Sequence, residues 1–556
     1  MRRYSLSLLF LTVLVLTVSA VERPVSKMRQ AALQSLNANR AKCVLDRQTL
    51  AVYSDGERFS IVSRDDRFPS VLAYGNGNFD VNKLPSNVQW WFERVQCIME
   101  LAAKEGVPMR ASKTYTPVAP MMETKWGQYS PYNDMAPRLS GDEQDQDSPR
   151  CPSGCVATAM AQIMNFQQYP EKVEFSGSCY LNGELFDERD IQSTYSWPYL
   201  KAYGYYLPDG YTSIEDAELQ QYNVLQGKRV ATLLRDCGYA IGMSYTESGS
   251  GATTVMAGNA LVNIFGYPDQ SVKYYENFYY TTEEWMNMMA AEMQNGCPIL
   301  YAGQSESGGH AFVFHGMDAD GLAYVNWGWD GQYDGYYAVG MLKPGEDDYS
   351  YGGEMMVIGI RPTALSTDVV QSLFSTDAPY EFTYDDDTHM LSITLNKTIY
   401  NATCRDFKGR WCVVIEDVDN PGAIEYADLL DEGTVVEWFM GYGAQSFPFA
   451  EIELSSGNYR FYMATLDEEE TDWQYVRTVG GAFYYEVTVD TDGKVTIAKE
   501  PTFISVTEPT AIQSVRQQTC DTSVRYYNLQ GHKLNGSTKG LLIRKQGDEV
   551  KKVMVK

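Results

Sequence analysis

The sequence predicts a multidomain protein: an α+β unit at the N-terminus, a larger α+β unit behind it, and an all-β, immunoglobulin-like sandwich toward the C-terminus. Three observations carry this. The chain has 556 residues, and at roughly 150 residues per domain that makes three or four domains. Hydrophobic residues are 44% and charged residues 21%, with 41 Tyr, a composition that builds cores rather than staying disordered. The texture also changes along the chain. Helix and strand patterns mix up to about residue 362, and beyond it short strands alternate with turns.

Residues 1–20 read as a secretory signal peptide. Met1-Arg2-Arg3 is a basic start, Leu6 to Val18 an apolar run, and Val18-Ser19-Ala20 a small-residue end with cleavage expected after Ala20. The run is short for a membrane span of about 20 residues, and no later stretch of about 18 apolar residues occurs. The mature chain is therefore expected to have no membrane span and to be secreted or held at the cell surface.

Residues 21–112 form the first unit. Thr49-Leu50-Ala51-Val52-Tyr53 and Phe59-Ser60-Ile61-Val62 flank Asp55-Gly56, which predicts a hairpin. Ser86 after Pro85 reads as a capping box. Val88, Trp91, Phe92, Val95 and Met99 then recur at helical spacing until Gly106.

Residues 113–362 form the second unit. It opens on a loop, Lys125-Trp126-Gly127-Gln128-Tyr129-Ser130-Pro131. Helices are expected from Gly154 to Tyr169 and from Ala217 to Cys237, the second with a break at Gly227. A Gly/Ser loop spans Glu247 to Ala252. Strands are expected at Pro298–Tyr301, His310–Phe314 and Leu322–Trp327.

Residues 363–510 carry the regular short strands of the sandwich, among them Leu391–Leu395, Trp411–Ile415, Tyr459–Met463 and Phe483–Val487. The acidic runs Asp385-Asp386-Asp387 and Asp467-Glu468-Glu469-Glu470 are expected to be solvated loops; their spacing matches no calcium cage. Residues 511–556 read as a small β-module with a basic end.

Charge and composition exclude some functions. There are 45 basic and 72 acidic residues, a net charge of −27, which repels phosphate backbones and argues against nucleic-acid binding. Ten Cys are too few for a disulfide scaffold. The four His are His310, His315, His389 and His532, too few and too dispersed for a multi-histidine metal site.

The chemistry centres on Cys151-Pro152-Ser153-Gly154-Cys155-Val156-Ala157. A helix starting at Cys155 would hold its sulfur at the positive helix end, which favours thiolate. The plainer reading is a buried cysteine, or a disulfide to Cys151. His310 follows Gly308-Gly309 and opens an apolar strand. There it could serve as a general base for a thiol, with the glycines leaving room for substrate. His315, five residues on, falls on the opposite face and reads as a hydrogen-bonded core histidine. Asn326-Trp327 lies sixteen residues past His310; an amide can hold an imidazole and an indole can shield it. A packed hairpin is the plainer reading there. Gln128, 27 residues before Cys155, is a candidate oxyanion donor.

These pieces together are similar to a known family. Gly154-Cys155-Val156-Ala157-Thr158-Ala159 with Gln162-Ile163-Met164 and Tyr169-Pro170 resembles the nucleophile helix of the streptopain family, papain-like thiol proteases. The interpain-type proteases of Bacteroidetes are close relatives. The resemblance continues through Ser250-Gly251-Ala252, Phe265-Gly266-Tyr267, Pro298 to Gly303, Gly308 to Val313 and Val325 to Trp329. It implies a papain-like α+β protease domain with Cys155 as nucleophile, His310 as base, Asn326 and Trp327 as its supports and Gln128 as oxyanion donor. Ser250, Gly251, Gly308 and Gly309 would line the substrate cleft, in a family that prefers a hydrophobic side chain two residues before the cut. No metal or organic cofactor is needed. Phe59 to Tyr74 resembles the family's propeptide, implying that residues 21–112 inhibit their own enzyme until cleavage between Arg110 and Val118. The Tyr527-Asn528-Leu529-Gln530-Gly531 and Lys539-Gly540-Leu541-Leu542-Ile543-Arg544 pieces resemble C-terminal sorting tails, implying an outer-membrane secretion machinery as partner.

The expected function is a secreted cysteine endopeptidase made as a zymogen, acting on polypeptides through an acyl-enzyme. Two alternatives stand beside it. One is a surface binding or adhesion protein in which the sandwich does the work. The other is a thiol acyltransferase, differing only in the acceptor.

Overall fold

The computed structural model describes residues 22–105, 113–200, 217–305, 308–339, 353–363, 374–420, 424–430, 433–468 and 473–504. It also describes strands at 524–527, 533–534, 540–546 and 549–555. The signal-peptide stretch, His532 and residues 110–112 of the 110–118 cleavage region lie outside the described residues. The chain forms two compact units, Met1–Lys113 and Thr114–Lys556.

The first unit has helix α1 (Val25–Ser35), strands β1 (Lys42–Asp46), β2 (Leu50–Ser54), β3 (Arg58–Ser63) and β4 (Val71–Asn76), and helix α2 (Ser86–Glu105). The four strands pair in chain order, all antiparallel. The β2–β3 turn closes where Asp55-Gly56 predicts it. The Asp55 carboxylate accepts from the Glu57 and Arg58 amides, and Gly56 takes a positive φ of 107°. Met28 and Ala32 of α1 pack on Ala51, Tyr53 and Val62. Phe59, Phe79 and Phe92 form a tilted row 5.4 and 5.5 Å apart, joining sheet to α2. The α2 helix begins at Ser86 itself, and its Val88, Trp91, Phe92, Val95 and Met99 are buried.

The second unit is built on helix α3 (Cys155–Gln167), the hairpin β5 (Lys172–Leu181) and β6 (Glu184–Thr194), helix α4 (Ala217–Ala240) and strand β7 (Ser244–Tyr245). Helix α5 (Thr254–Asn263), strand β8 (Lys273–Glu276) and helix α6 (Thr282–Gln294) follow. Then come strands β9 (Ile299–Ser305), β10 (Gly308–Met317), β11 (Ala323–Asn326), β12 (Gly335–Tyr337) and β13 (Glu354–Ile358). Within this unit the strands run β12-β11-β10-β9-β13-β8, each neighbour antiparallel. α3 is buried along nearly its whole length. Its Val156, Met160 and Ile163 share a core with Leu300, Ala302, Ala311, Val313 and Val357 of the sheet and with Leu233 and Leu234 of α4. α4 runs through Gly227 without a break, because its last three turns are clamped in that core.

From 374 on, the chain is β-rich. The strands Glu381–Asp385, Met390–Leu395 and Gln445–Glu451 form one antiparallel sheet. The long strands Phe407–Asp417, Gly457–Asp467 and Gly481–Val489 form the middle of another. Both sheets bury residues in one core, where Phe382 meets Phe461 and Tyr485 edge-on at 5.8 and 5.9 Å. Asp385–Asp387 is an exposed turn. Asp467 corrects the expectation of a solvated acidic run: it ends a strand, is 2% exposed, and pairs with Arg405 at 3.5 Å. The strands Val524–Tyr527, Lys533–Leu534, Gly540–Gln546 and Glu549–Val555 form a separate antiparallel sheet. Among the described residues no helix is long and apolar enough to cross a membrane.

The β-rich region is fastened to the first turn of α6. Thr281 and Glu284 close a capping box there. Arg477 reaches the same carboxylate at 2.9 Å, donates to the Tyr279 carbonyl at 3.0 Å and lies over the Tyr280 ring at 4.4 Å. Burial opposes the Arg477 charge, but Glu284 outweighs it and the guanidinium is held more firmly protonated than usual. Tyr279 also bonds Asp377 at 2.8 Å and Tyr400 at 2.6 Å, and Asn259 of α5 donates to the Cys404 carbonyl. Removing one partner of a buried pair strands the other charge. Arg477→Ala is therefore expected to lower the unfolding free energy by about 3–5 kcal/mol in urea melts; a loss within about 0.5 kcal/mol, the range of ordinary surface changes, would contradict this account.

Candidate active site

The approach to Cys155 is a strained turn that only glycine fits well. Gly154 takes φ 92°, and a Cβ there would lie 2.6 Å from the Met243 methyl and 3.1 Å from the Ser250 carbonyl. The helix begins at the next residue, so the Cys155 sulfur meets backbone amides at the positive helix end. The Val156 and Cys155 amides point at it, and so does the Ala311 amide of β10. That last contact brings the nucleophile candidate against β10, one residue from His310.

Two further bonds fix the turn. Ser153 donates its backbone amide to the Gln128 carbonyl at 2.9 Å, and Ser250 donates its hydroxyl to the Pro152 carbonyl at 2.7 Å. Thus the 124–129 loop and the 247–252 loop are both tied to the residues just before Cys155. Gln128 is buried. Gly251 returns the chain to Ser244 through a pair of backbone bonds of 3.0 Å.

Burial sets the charge state of the pair. Cys155 as a whole is half-buried, but its sulfur is enclosed. Desolvation raises the thiol above its ordinary pKa despite the three amides. Burial likewise lowers the His310 imidazole below its ordinary value. Both shifts favour neutral thiol and neutral imidazole in the full-length chain.

β10 sorts the two rows of side chains. Ala311 and Val313 face α3, whereas Phe312 and Phe314 form the alternate row. Trp327 is wholly buried against that second row, 4.7 Å from Phe312 and edge-on to Tyr337 at 5.0 Å. Its backbone amide donates to Asp334 at 3.0 Å. Burial pushes the Asp334 carboxyl up to about 7, against the pull of that amide and of Lys125.

Asn326 faces the α3 side. It stands opposite Val313 in the ladder, and its amide is fully used. The Nδ2 group donates to the Thr124 carbonyl at 2.7 Å and to Gln162 Oε1 at 3.0 Å. Its Oδ1 accepts from Gln162 Nε2 at 3.1 Å and from the Gly328 amide at 3.0 Å. The four bonds of the Asn326 amide thus run to Thr124, Gln162 and Gly328. Gln162 emerges as the partner of Asn326. The motif Gln162-Ile163-Met164 carries it, but only the fold reveals that it lies beneath Asn326.

His315 is a buried acceptor. Its Nδ1 takes the Met121 and Met122 amides at 3.1 and 3.0 Å. Cys151 is buried in the α3 core, and burial pushes its thiol up to about 11; Cys151 and Cys155 are both free thiols. His389 lies in the β-rich region beside Tyr384, 3.1 Å from its hydroxyl. Gly309 is exposed and pairs with Gln304 in the β9–β10 ladder; Gly308 pairs with Ser305. No cluster of metal-ligating side chains exists among the described residues.

Two segments of the chain match known families. Residues 126–337 match the model of the peptidase C10 family, and residues 23–99 match that of the Spi protease inhibitor. The C10 segment holds every residue of the site just described from Trp126 onward. Curated relatives include the thiol protease/hemagglutinin PrtT of Porphyromonas gingivalis, 31% identical over 342 residues. That alignment covers 56% of this chain and 37% of PrtT. Streptopain of Streptococcus pyogenes is 29% identical over 327 residues, covering 55% of this chain and 78% of streptopain. The chain thus spans little more than a third of PrtT. Among solved structures, a prointerpain A fragment from Prevotella intermedia is 29% identical, with a TM-score of 0.48. It covers 59% of this chain and 100% of the fragment. The segment matching the Spi protease inhibitor thus precedes the one matching the peptidase C10 family.

His315 gives the C10 domain a readable acid response. Burial lowers its imidazole from 6.5 to about 4, so the folded state excludes a proton that the unfolded chain takes up. The associated stability is present above pH 6.5 and lost as pH falls toward 4. His315→Asn retains an acceptor and cannot titrate. Its loss of stability between pH 7 and pH 5 should be smaller than wild type's by about 2 kcal/mol, measured by urea melts at both pH values. Parallel losses would refute the assignment.

Proposed function

We propose that this chain is a secreted cysteine endopeptidase made as an autoinhibited zymogen. The observation that carries the reading is the enclosed Cys155 sulfur at the start of α3, held against the Ala311 amide one residue from His310. In the working enzyme His310 takes the Cys155 proton, and the thiolate attacks a peptide carbonyl carbon. The carbonyl π electrons move to oxygen, where the Cys155 amide and Gln128 donate hydrogen bonds. His310 returns the proton to the leaving amine as the C–N bond breaks. Water then cleaves the thioester and regenerates the thiol. Asn326 orients His310, and Trp327 keeps water from that contact. Ser250, Gly251, Gly308 and Gly309 line the cleft for an extended polypeptide.

The neutral thiol and imidazole of the full-length chain fit a latent form. Residues 21–112 act as the inhibitor, in keeping with the Spi match over 23–99, and cleavage between Arg110 and Val118 releases the enzyme. The signal peptide at 1–20 directs export, and the tail at 511–556 addresses the outer-membrane secretion machinery, leaving the enzyme secreted or at the cell surface. The two sheets beyond 374 form an immunoglobulin-like sandwich that travels with the peptidase.

Purified 21–556 incubated with casein under reducing conditions tests this directly. Wild type should lose about its first 90 residues by mass spectrometry, a length set by the 21–112 segment, and gain hydrolysis. Cys155→Ala should stay whole and lose at least about 10⁴-fold in turnover. Hydrolysis by Cys155→Ala, or inert wild type after removal of the segment with trypsin, would sink the proposal.

A further inference from the structure

Gln162 lies seven residues past Cys155 on α3, two turns down the same helix. It is wholly buried, and Asn326 is 1% exposed. A buried primary amide is costly unless its donors and acceptors are met. Gln162 meets them with two segments that matter to the site. Its Oε1 accepts from Asn326 Nδ2 at 3.0 Å and from the Trp126 backbone amide at 3.3 Å. Its Nε2 donates to Asn326 Oδ1 at 3.1 Å. Trp126 is two residues before Gln128. One side chain therefore joins the nucleophile helix, the end of β11 and the oxyanion-side loop, which are far apart in sequence.

Resting on the peptidase reading above, we infer that Gln162 is a positioning residue of the active centre. Through Oε1 it fixes the Asn326 amide plane and holds the 124–128 loop against α3. Asn326 offers two lone pairs at Oδ1. One receives the Gly328 amide, a backbone group locked in the chain reversal after β11. The other receives Gln162 Nε2, a side-chain donor that can withdraw. When His310 engages Asn326, its N–H takes that second lone pair. Gln162 Oε1 and the Thr124 carbonyl keep the amide in register for it. Without Gln162 the amide is free to rotate, and the imidazolium loses an ordered acceptor.

The test uses purified 21–556, processed with trypsin that is then inhibited, with working sites counted by an irreversible alkylating inhibitor. Gln162→Met fills the volume without hydrogen bonds. It should lower kcat per working site by about 10²-fold, the scale of a small misplacement of reacting groups, with KM within about threefold. The alkaline limb of its kcat/KM profile should move to lower pH, because a less supported imidazolium gives up its proton earlier. In an Asn326→Ala background the same change should add less than about threefold, since Gln162 acts through Asn326. Gln162→Glu keeps the acceptor and adds negative charge, so its alkaline limb should stay or rise. An unmoved limb in Gln162→Met, a falling limb in Gln162→Glu, or multiplicative loss in the double variant overturns the inference. Wild type without hydrolysis sinks the peptidase reading itself; an active wild type with an unaffected Gln162→Met sinks this inference alone.

Discussion

The candidate centre depends on where the first turn of α3 is held. Three ties fix it, each from a different part of the chain: Gln128 to Ser153, Ser250 to Pro152, and Ala311 to the Cys155 sulfur. Gly154 makes them compatible, since its positive φ lets the chain turn into the helix in a space that Met243 and Ser250 leave too small for a Cβ. The rest of α3 is core and cannot shift to accommodate a displaced first turn. Positional precision at the sulfur is thus a consequence of packing along the whole helix.

The β-rich region belongs to the same compact unit as the C10 segment, and the reason is local chemistry. The capping carboxylate of α6 serves two masters: it closes the Thr281 capping box and neutralises buried Arg477. The hydroxyls of Tyr279 and Tyr400 and the Asp377 carboxylate extend that patch, and Tyr400 reaches Glu276 of β8 at 3.3 Å. Such a network is stable only when each member is satisfied. It favours one rigid arrangement of the β-rich region on the C10 segment over a flexible linkage.

Much of this was legible in the sequence because it rests on local rules. The Asp55-Gly56 turn, the apolar faces of α2 and α3, and the alternation along β10 all follow from short-range patterns. The extents differ where tertiary packing intervenes: α4 runs through Gly227, and Asp467 is buried because Arg405 meets it. The β5–β6 hairpin is harder to read. Its Asn182-Gly183 turn, with φ of 53° and 85°, is a strong local signal, but its strands are mostly polar and lack an apolar alternation. α6 was equally available from Thr281 and Glu284. Gln162 differs in kind. Nothing local marks a glutamine on a buried helix face as the partner of an asparagine 164 residues away; that pairing exists only once α3 lies across β11.

The opposite rows of β10 explain why one amide pair can govern so much. Ala311 and Val313 of β10 lie in the α3 core, and alternation sends Phe312 to the Trp327 side. Asn326, at the end of β11, faces α3 and would be an orphaned buried amide if nothing there matched it. Gln162 supplies both a donor and an acceptor from the helix that carries Cys155. A reciprocal pair has no half-bonded state that is inexpensive, because losing one bond exposes a polar group to a dry core. The pair therefore holds as a unit, and the distance between α3 and the end of β11 is set by two hydrogen bonds rather than by apolar contact alone. Apolar packing tolerates small slides of one surface over another; paired amides at 3.0 and 3.1 Å do not. A site whose chemistry turns on tenths of an ångström is better served by the second kind of contact.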